Sequence, residues 1–375
     1  MAQDELHMRR ALALATATIG LASPNPQVGC VLTQNDEPIG EGAHLYDQFD
    51  HAEIVALKAA RAVGHLTAGA TAYVTLEPCS HHGRTGPCAD ALIAAGIARC
   101  VVATHDANPE VRGRGIARLR AAGVQVEVGL LQAEARTLND AFACSMTRQR
   151  PFVTLKSALS VDGRIAPPPS ARSAIAPVFL TGSAALAEVQ QLRHASDAIV
   201  TGIGTVLADD PLLTDRSRLP RRRPLMRVVL DRELRIPLTS KLVSTAQDDL
   251  WIFCGEAAPA ERQLELESQG VRVTRVPAGP FGVDLDAVMR ALHAARILSV
   301  LVEAGAAVNG AFLRADLVDR VILYYAEVEL GANGIPFAQD GPSSFTLQQQ
   351  LLGVESRQVG PDVRITGYLH DPWAM

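Results

Sequence analysis

The sequence predicts an α/β protein of two domains, and three observations carry the prediction. The chain has 375 residues, more than one ordinary core accommodates. Short β-branched, apolar stretches alternate with helix-periodic ones, the pattern of a largely parallel sheet covered on both faces. A fresh strand begins at Arg150-Pro151, straight after a helix-periodic run, which gives domains of residues 1–147 and 150–375.

In the first domain, residues 4–20 place Leu6, Ala13, Ala17 and Leu21 near one helix face. SPNPQ (23–27) is a proline-punctuated loop. Residues 28–45 read as a hairpin turning at Asn35-Asp36. A helix follows over 51–64, with Gly64 as its stop. Then come a strand (70–78), a helix opened by Pro87 (87–96), a strand (99–106), a helix (111–123), a strand (124–130) and a helix (132–149). In the second domain, strands are expected at 150–160, 197–202, 227–231, 250–255, 271–276, from 299 and at 320–330, with helices at 183–195 and 284–297. The tail has two strand-like stretches, 344–352 and 362–370. The loop RLPRRRP (218–224) holds four arginines. It reads as a solvated turn, with a phosphate contact as the alternative.

Hydrophobic content of 48% and charged content of 20% fit a soluble globular protein. A net charge of -5 without a large basic block argues against a surface that coats nucleic acid. No apolar run approaches the ~20 residues of a membrane span. The start is charged and amphipathic without a cleavage pattern, so a cytoplasmic, reducing compartment is expected. There, close Cys and His residues point to metal or catalysis rather than disulfides.

Such a group exists. His51-Ala52-Glu53 opens a helix, Pro78-Cys79 ends a strand, and Pro87-Cys88 opens another helix. His51, Cys79 and Cys88 supply three ligands, which leaves a tetrahedral zinc its fourth position for water, the catalytic pattern. Glu53 sits two residues past His51, where it can carry a proton from that water to a leaving amine. This is the zinc-deaminase arrangement of H-x-E followed by P-C-x-x-C, except that eight residues, SHHGRTGP, separate the cysteines. His81 or His82 as a fourth ligand would make a closed, structural site; as loop residues they instead face substrate or solvent.

With these residues in place, the first domain resembles the deaminase domain of the bacterial bifunctional riboflavin-biosynthesis deaminase/reductases. The matching stretches are PNPQVGC (24–30), HAE (51–53), TLEPCSHHGRTGPC (75–88), NPEVRGRG (108–115) and AAGVQV (121–126). The long cysteine spacing is that family's own form of the motif. Gly86 and Ala107 stand where the family usually has proline. The resemblance implies a cytidine-deaminase-like fold, zinc on His51, Cys79 and Cys88, Glu53 as proton shuttle, and a pyrimidine pocket lined by Asn25 and His44. On their own, Asn25 reads as a turn residue and His44 as a surface histidine.

The second domain contains KSALSVDGR (156–164), Leu192-Arg193, GIGTVLADDP (202–211) and VEAG (302–305), the last opening a glycine-containing loop before a helix. Such turns let backbone N–H groups approach phosphate, but they are common connectors. No clean G-x-G-x-x-G follows the first strand, which disfavours a standard dinucleotide fold. Together these stretches resemble the reductase domain of the same family, whose fold is similar to dihydrofolate reductase. The resemblance implies that Ala158, Thr205, Asp209, Gly305, Ala306, Asn309 and Gly310 contact NADPH. It places Arg193, Leu213 and Arg216 on the substrate side, the arginines gripping its phosphate, and has Glu303 hold the sugar. It further implies a phosphorylated pyrimidine substrate, no nucleic-acid or membrane partner, and a homo-oligomer. The chain departs from the family in the 176–186 stretch, where Leu186 replaces an arginine, at Ala326-Glu327, and at Asp316, where glycine is usual. These departures keep a second reading open: an active deaminase joined to an altered reductase.

Overall fold

The computed structural model describes residues 2–81, 86–168, 179–280 and 282–374. The chain forms two compact units, one of residues 1–149 with 220–222 and 372–375, the other of residues 150–219 and 223–371.

The first unit runs α1 (Ala2–Thr16), β1 (Gly29–Gln34), β2 (Glu37–Ala43), α2 (Ala52–Ala62), β3 (Thr71–Val74), α3 (Cys88–Ala94), β4 (Arg99–Val102), α4 (Arg114–Ala121), β5 (Gln125–Val128), α5 (Gln132–Leu138) and α6 (Asp140–Arg148). Helix α1 stops at Thr16, short of residue 20, and the expected helix over 132–149 is broken at Asn139. The sheet order is β2-β1-β3-β4-β5. Strands β3, β4 and β5 are parallel, but β1 is antiparallel to both its neighbours. The sheet is therefore mixed rather than largely parallel. The reason is local: Asn35 and Asp36 both take left-handed φ, 51° and 62°, and so close the tight turn that sends β2 back along β1.

Alternation along the strands separates two cores. Cys30, Leu32, Ala72, Val74, Cys100 and Val102 face Ala56, Leu57, Leu92 and Leu119 of α2, α3 and α4. Val31, Tyr73 and Val101 face Met8, Ala11 and Ala135 of α1 and α5. Helix α2 lies directly on the hairpin. A Cβ at Gly40 or Gly42 would overlap the carbonyl oxygens of Ala56 and Ala52. These two glycines thus set where α2 begins, and with it His51 and Glu53.

The second unit opens with β6 (Phe152–Ser160), β7 (Arg164–Ala166), α7 (Ser183–Ala195), β8 (Ala198–Gly202), α8 (Ile203–Asp209), β9 (Met226–Leu230), α9 (Lys241–Ser244) and β10 (Leu250–Gly255). It continues with α10 (Ala260–Ser268), β11 (Arg272–Val276), β12 (Ala278–Gly279), β13 (Gly282–Val283), α11 (Leu285–Ala294), β14 (Ser299–Val302) and α12 (Ala306–Arg314). It closes with β15 (Arg320–Ala326), β16 (Ile335–Pro336), α13 (Ser344–Gln348), β17 (Leu352–Val359) and β18 (Asp362–Tyr368). Nine strands form one sheet, ordered β11-β10-β9-β8-β14-β6-β15-β18-β17. The seven from β11 to β15 are parallel; β18 and β17 add antiparallel at one edge.

The tail corrects one expectation. Residues 344–348 are helical, because Ser343 caps the turn by accepting the Thr346 N–H through its hydroxyl. The strand lies downstream, in β17, whose residues are exposed up to Val359 and therefore show no buried alternation. The arginine loop is also not simply solvated: Arg223 pairs with Asp197 at 3.2 Å and donates to the Arg296 carbonyl at 2.6 Å. Among the described residues, no helix is long and apolar enough to cross a membrane.

Gly42→Ala forces the hairpin and α2 apart. It is expected to destabilise the first unit by about 1–3 kcal/mol, the usual cost of overpacking, with the second unit's unfolding unchanged. Denaturant unfolding followed separately in the two units checks this.

Candidate functional site

Three chain segments meet at one end of the first sheet. His51 stands at the N-cap of α2, Cys79 in the loop after β3, and Cys88 at the first position of α3. His51 Nδ1 lies 3.2 Å from Cys88 Sγ and 3.5 Å from Cys79 Sγ. One ligand atom from each residue falls within 4.8 Å of the others. The start of α3 holds the loop in place: the Cys88 N–H donates to Cys79 Sγ at 3.3 Å and the Ala89 N–H to the Cys79 carbonyl at 3.1 Å. Hydrogen bonding from Cys88, working against burial, draws the Cys79 thiol well below its ordinary value; the same interaction, with burial, pushes Cys88 up. A cation among the three lets both sulfurs ionise. One imidazole and two thiols in this cluster fit zinc.

Glu53 lies in the first turn of α2, 3% exposed, and burial pushes its carboxyl up to about 7. The ring of His44 packs edge-on to that of His51 at 5.4 Å. His44 Nδ1 is 2.8 Å from the Asp50 carbonyl, so it carries the proton and donates. Its Nε2 then accepts from Asn25 Nδ2 at 2.9 Å. Burial lowers the His44 pKa, which favours this neutral form. The structure therefore brings Asn25, His44, His51 and Glu53 together. His81 is exposed and outside the cluster; His82 lies outside the described residues.

Two partners of this site carried no signal in the sequence. Asn139, at the break between α5 and α6, accepts the Gln27 N–H at 2.7 Å and donates to the Gln27 carbonyl at 3.0 Å. It clamps the Pro-Asn-Pro loop that presents Asn25, from 112 residues away. Glu77, two residues before Cys79, has a fully buried side chain.

In the second unit, β8 and β14 are parallel neighbours, and each ends where a helix starts. Gly202 and Gly305 are the N-caps of α8 and α12, and neither start has a side-chain cap. Thr205 in α8 comes within 3.6 Å of where a Cβ would stand on Gly305. Ala306 follows at the first position of α12. Asn309 and Gly310 turn inward: Asn309 is fully buried and donates to the Phe337 carbonyl at 2.9 Å, and Gly310 packs on the Gln339 carbonyl. Both residues therefore pack inside the unit rather than along the loop. Asp209 is exposed at the end of α8, and Ala158 sits on β6 paired with Tyr324 of β15.

The substrate-side residues differ more from expectation. Arg193 is committed to Glu303 through two bonds of 2.8 and 3.1 Å and to the Thr214 carbonyl at 3.0 Å. Lys156, on β6 beside β14, reaches the same carboxylate at 3.6 Å. Sequence reasoning missed this lysine's role, because its partner lies far along the chain. Leu213 buries its side chain with Ile199 and Leu242. Arg216 is exposed, and its N–H donates to Gln190 Oε1 at 2.9 Å.

Comparison with known proteins gives the same division. Residues 151–365 match the family model of the RibD C-terminal domain. Residues 1–104 match the cytidine and deoxycytidylate deaminase zinc-binding region. The chain is 40% identical to the riboflavin biosynthesis protein RibD of Escherichia coli over 96% of this chain and 98% of that protein. It superimposes on RibD of Acinetobacter baumannii with a TM-score of 0.81 at 38% identity, covering 98% of this chain and 99% of the other. A diaminohydroxyphosphoribosylaminopyrimidine deaminase/5-amino-6-(5-phosphoribosylamino)uracil reductase of Thermotoga maritima gives a TM-score of 0.82 at 31% identity, with the same coverage.

The carboxylate of Glu303 feels opposing effects: burial raises its pKa, Lys156 and Arg193 lower it, and the net shift is downward. A depressed folded pKa contributes stability that is complete above the unfolded value and is lost as pH falls through the folded one. Glu303→Gln is expected to cost about 3–5 kcal/mol at neutral pH by removing the carboxylate that two nearly buried cations share. The gap to the parent protein should narrow below the ordinary value of 4.5. Unfolding curves of both proteins against pH check this.

Proposed function

Because the chain belongs to the RibD family of riboflavin-biosynthesis proteins, we propose how its own residues divide that family's two reactions. It is a bifunctional enzyme, a zinc-dependent deaminase in its first domain and an NADPH-dependent reductase in its second. It converts 2,5-diamino-6-(5-phosphoribosylamino)pyrimidin-4-one to the corresponding uracil and then reduces the ribosyl group to ribityl. The observation that carries the site assignment is the convergence of His51, Cys79 and Cys88 beside a buried carboxyl, Glu53.

His51, Cys79 and Cys88 would hold a zinc ion, which would supply the Lewis acidity that makes water a nucleophile at neutral pH. Glu53 takes a proton from the attacking water as the water oxygen bonds to the ring carbon. It then returns the proton to the amino group, whose carbon–nitrogen bond breaks to release ammonia. A buried carboxyl that titrates near neutrality suits both halves of this transfer. Asn25 and His44 orient the ring: with His44 Nε2 occupied by the Asn25 amide, the Asn25 carbonyl is the group left to accept from the pyrimidine.

In the second domain NADPH would supply hydride to the sugar carbon as that carbon's bond to the ring oxygen breaks, and the oxygen would take its proton from water. The starts of α8 and α12, with Thr205, Gly305 and Ala306, form the phosphate side of the cofactor site. Glu303, fixed by Arg193 and Lys156, holds the sugar. Arg216, which is exposed, takes the substrate phosphate. The six cysteines form no disulfide, which supports a cytoplasmic location, and the exposed edge strand β17 supports a homo-oligomer.

Incubating the zinc-loaded protein with the diaminopyrimidine substrate and NADPH should yield a product in which an amine has been exchanged for oxygen and two hydrogens added. Mass spectrometry reads this directly. Exchange without added hydrogen overturns the reductase assignment, and unchanged substrate overturns the deaminase assignment. Glu53→Gln should lower ammonia release by about 10²–10⁴-fold while leaving NADPH oxidation with the deaminated substrate intact.

A further inference from the structure

Glu77 lies two residues before the zinc ligand Cys79, with its side chain fully buried. Its carboxylate is surrounded by donors from one distant segment. Oε1 accepts the N–H groups of Gly115 at 3.0 Å and Ile116 at 3.2 Å. Oε2 accepts those of Gly113 at 2.9 Å and Asp106 at 3.3 Å, with His105 Nδ1 at 3.2 Å. The backbone of Glu77 is tied as well, its N–H donating to the Thr104 carbonyl at 3.0 Å. A carboxylate with this many donors, three of them at the cap and first turn of α4, serves as that helix's missing N-cap.

A second observation links the cap to the metal centre. A Cβ on Gly115 would overlap the Pro78 carbonyl oxygen. The start of α4 thus presses directly on the peptide between Glu77 and Cys79. Cys79 itself is gripped from its other side by the N–H groups of Cys88 and Ala89. The three residues Glu77, Pro78 and Cys79 are therefore seated between two helix starts, and the aim of Cys79 Sγ depends on both.

We propose that Glu77 is a positioning residue of the deaminase: by binding the start of α4 it fixes the Pro78-Cys79 segment so that the Cys79 sulfur meets His51 and Cys88 in the metal-binding arrangement. The inference rests on the zinc assignment above. It gives a role to the NPEVRGRG stretch, which the catalytic scheme does not otherwise use: that stretch supplies two of the donors, Gly113 and Gly115, and Gly115 is the glycine that permits the approach to Pro78.

The test compares the full-length protein with Glu77→Gln, which keeps the size but replaces one acceptor with a donor facing N–H groups. Chelator competition should show zinc held about 10–100-fold more weakly, the usual cost of removing a group that orients a ligand. The cobalt-substituted protein should show altered thiolate-to-metal absorption. Ammonia release should fall in kcat with KM unchanged, and NADPH oxidation on deaminated substrate should stay at the parental rate. Gly115→Ala, which displaces Pro78 while leaving the Glu77 residue itself in place, should shift the cobalt spectrum likewise. Should a variant be too unstable for kinetics, the rise in melting temperature on adding zinc to the apoprotein still decides. A smaller rise than in the parent supports positioning; an equal rise, with both forms shifted down together, reduces Glu77 to a helix cap and overturns the proposal. Parental zinc affinity and cobalt spectrum in a folded Glu77→Gln also overturn it. A parent that itself binds no zinc removes the zinc reading instead, a result visible before any variant is made.

Discussion

The first N–H groups of a helix have no partner within it and must find acceptors elsewhere. That constraint shapes both functional regions. In the first unit the acceptors are built in. Cys79 receives the start of α3 through its sulfur and its carbonyl, and Glu77 receives the start of α4. In the second unit the starts of α8 and α12 have glycine at the cap and no capping side chain. The first arrangement turns helix starts inward to hold protein ligands rigidly. The second leaves them without a capping side chain, which suits an anionic ligand as acceptor.

What could be read in the sequence was whatever is encoded within a few neighbouring residues. The hairpin was legible because Asn35 and Asp36 favour the left-handed turn that joins β1 to β2. His51 and Cys88 were placed at helix starts by their flanking residues, and the structure has them there. What escaped was the long-range pairing. Glu77 meets donors 28–39 residues away, Asn139 meets Gln27 across 112, and Arg193 meets Glu303 across 110. No local pattern marks such partners. The antiparallel pairing of β1 with β3 was missed for a related reason: alternation of β and α segments suggests parallel neighbours, and no local pattern marks which strand of the hairpin lies against β3.

The Arg193–Glu303–Lys156 group shows why a lone charged residue is ambiguous. Arg193 could have been a surface charge or a phosphate grip; it is instead one arm of a nearly buried ion trio. Burying one carboxylate with one cation is costly unless the geometry is good. Here two cations share it, with Arg193 bidentate, so its carboxylate stays ionised and aligned. A carboxylate held this way is a fixed acceptor, which is what orienting a sugar hydroxyl requires.

The departures from the family can be weighed by where they fall. Residues 176–178 lie outside the described residues. Asp316 replaces a glycine at φ 55°, a conformation that aspartate tolerates better than most side chains; here its carboxylate is paired with His370 Nε2 at 2.9 Å. Leu186 is in the first turn of α7, its N–H bonded to the Gly182 carbonyl as in any helix. Ala326 ends β15 in register with Ser160. None of these disturbs Lys156, Arg193, Glu303, Thr205 or Gly305. The regular backbone at Leu186 and Ala326, and the local pairing at Asp316, show that these substitutions are accommodated within ordinary secondary structure. That argues for two working sites rather than a deaminase with an altered partner.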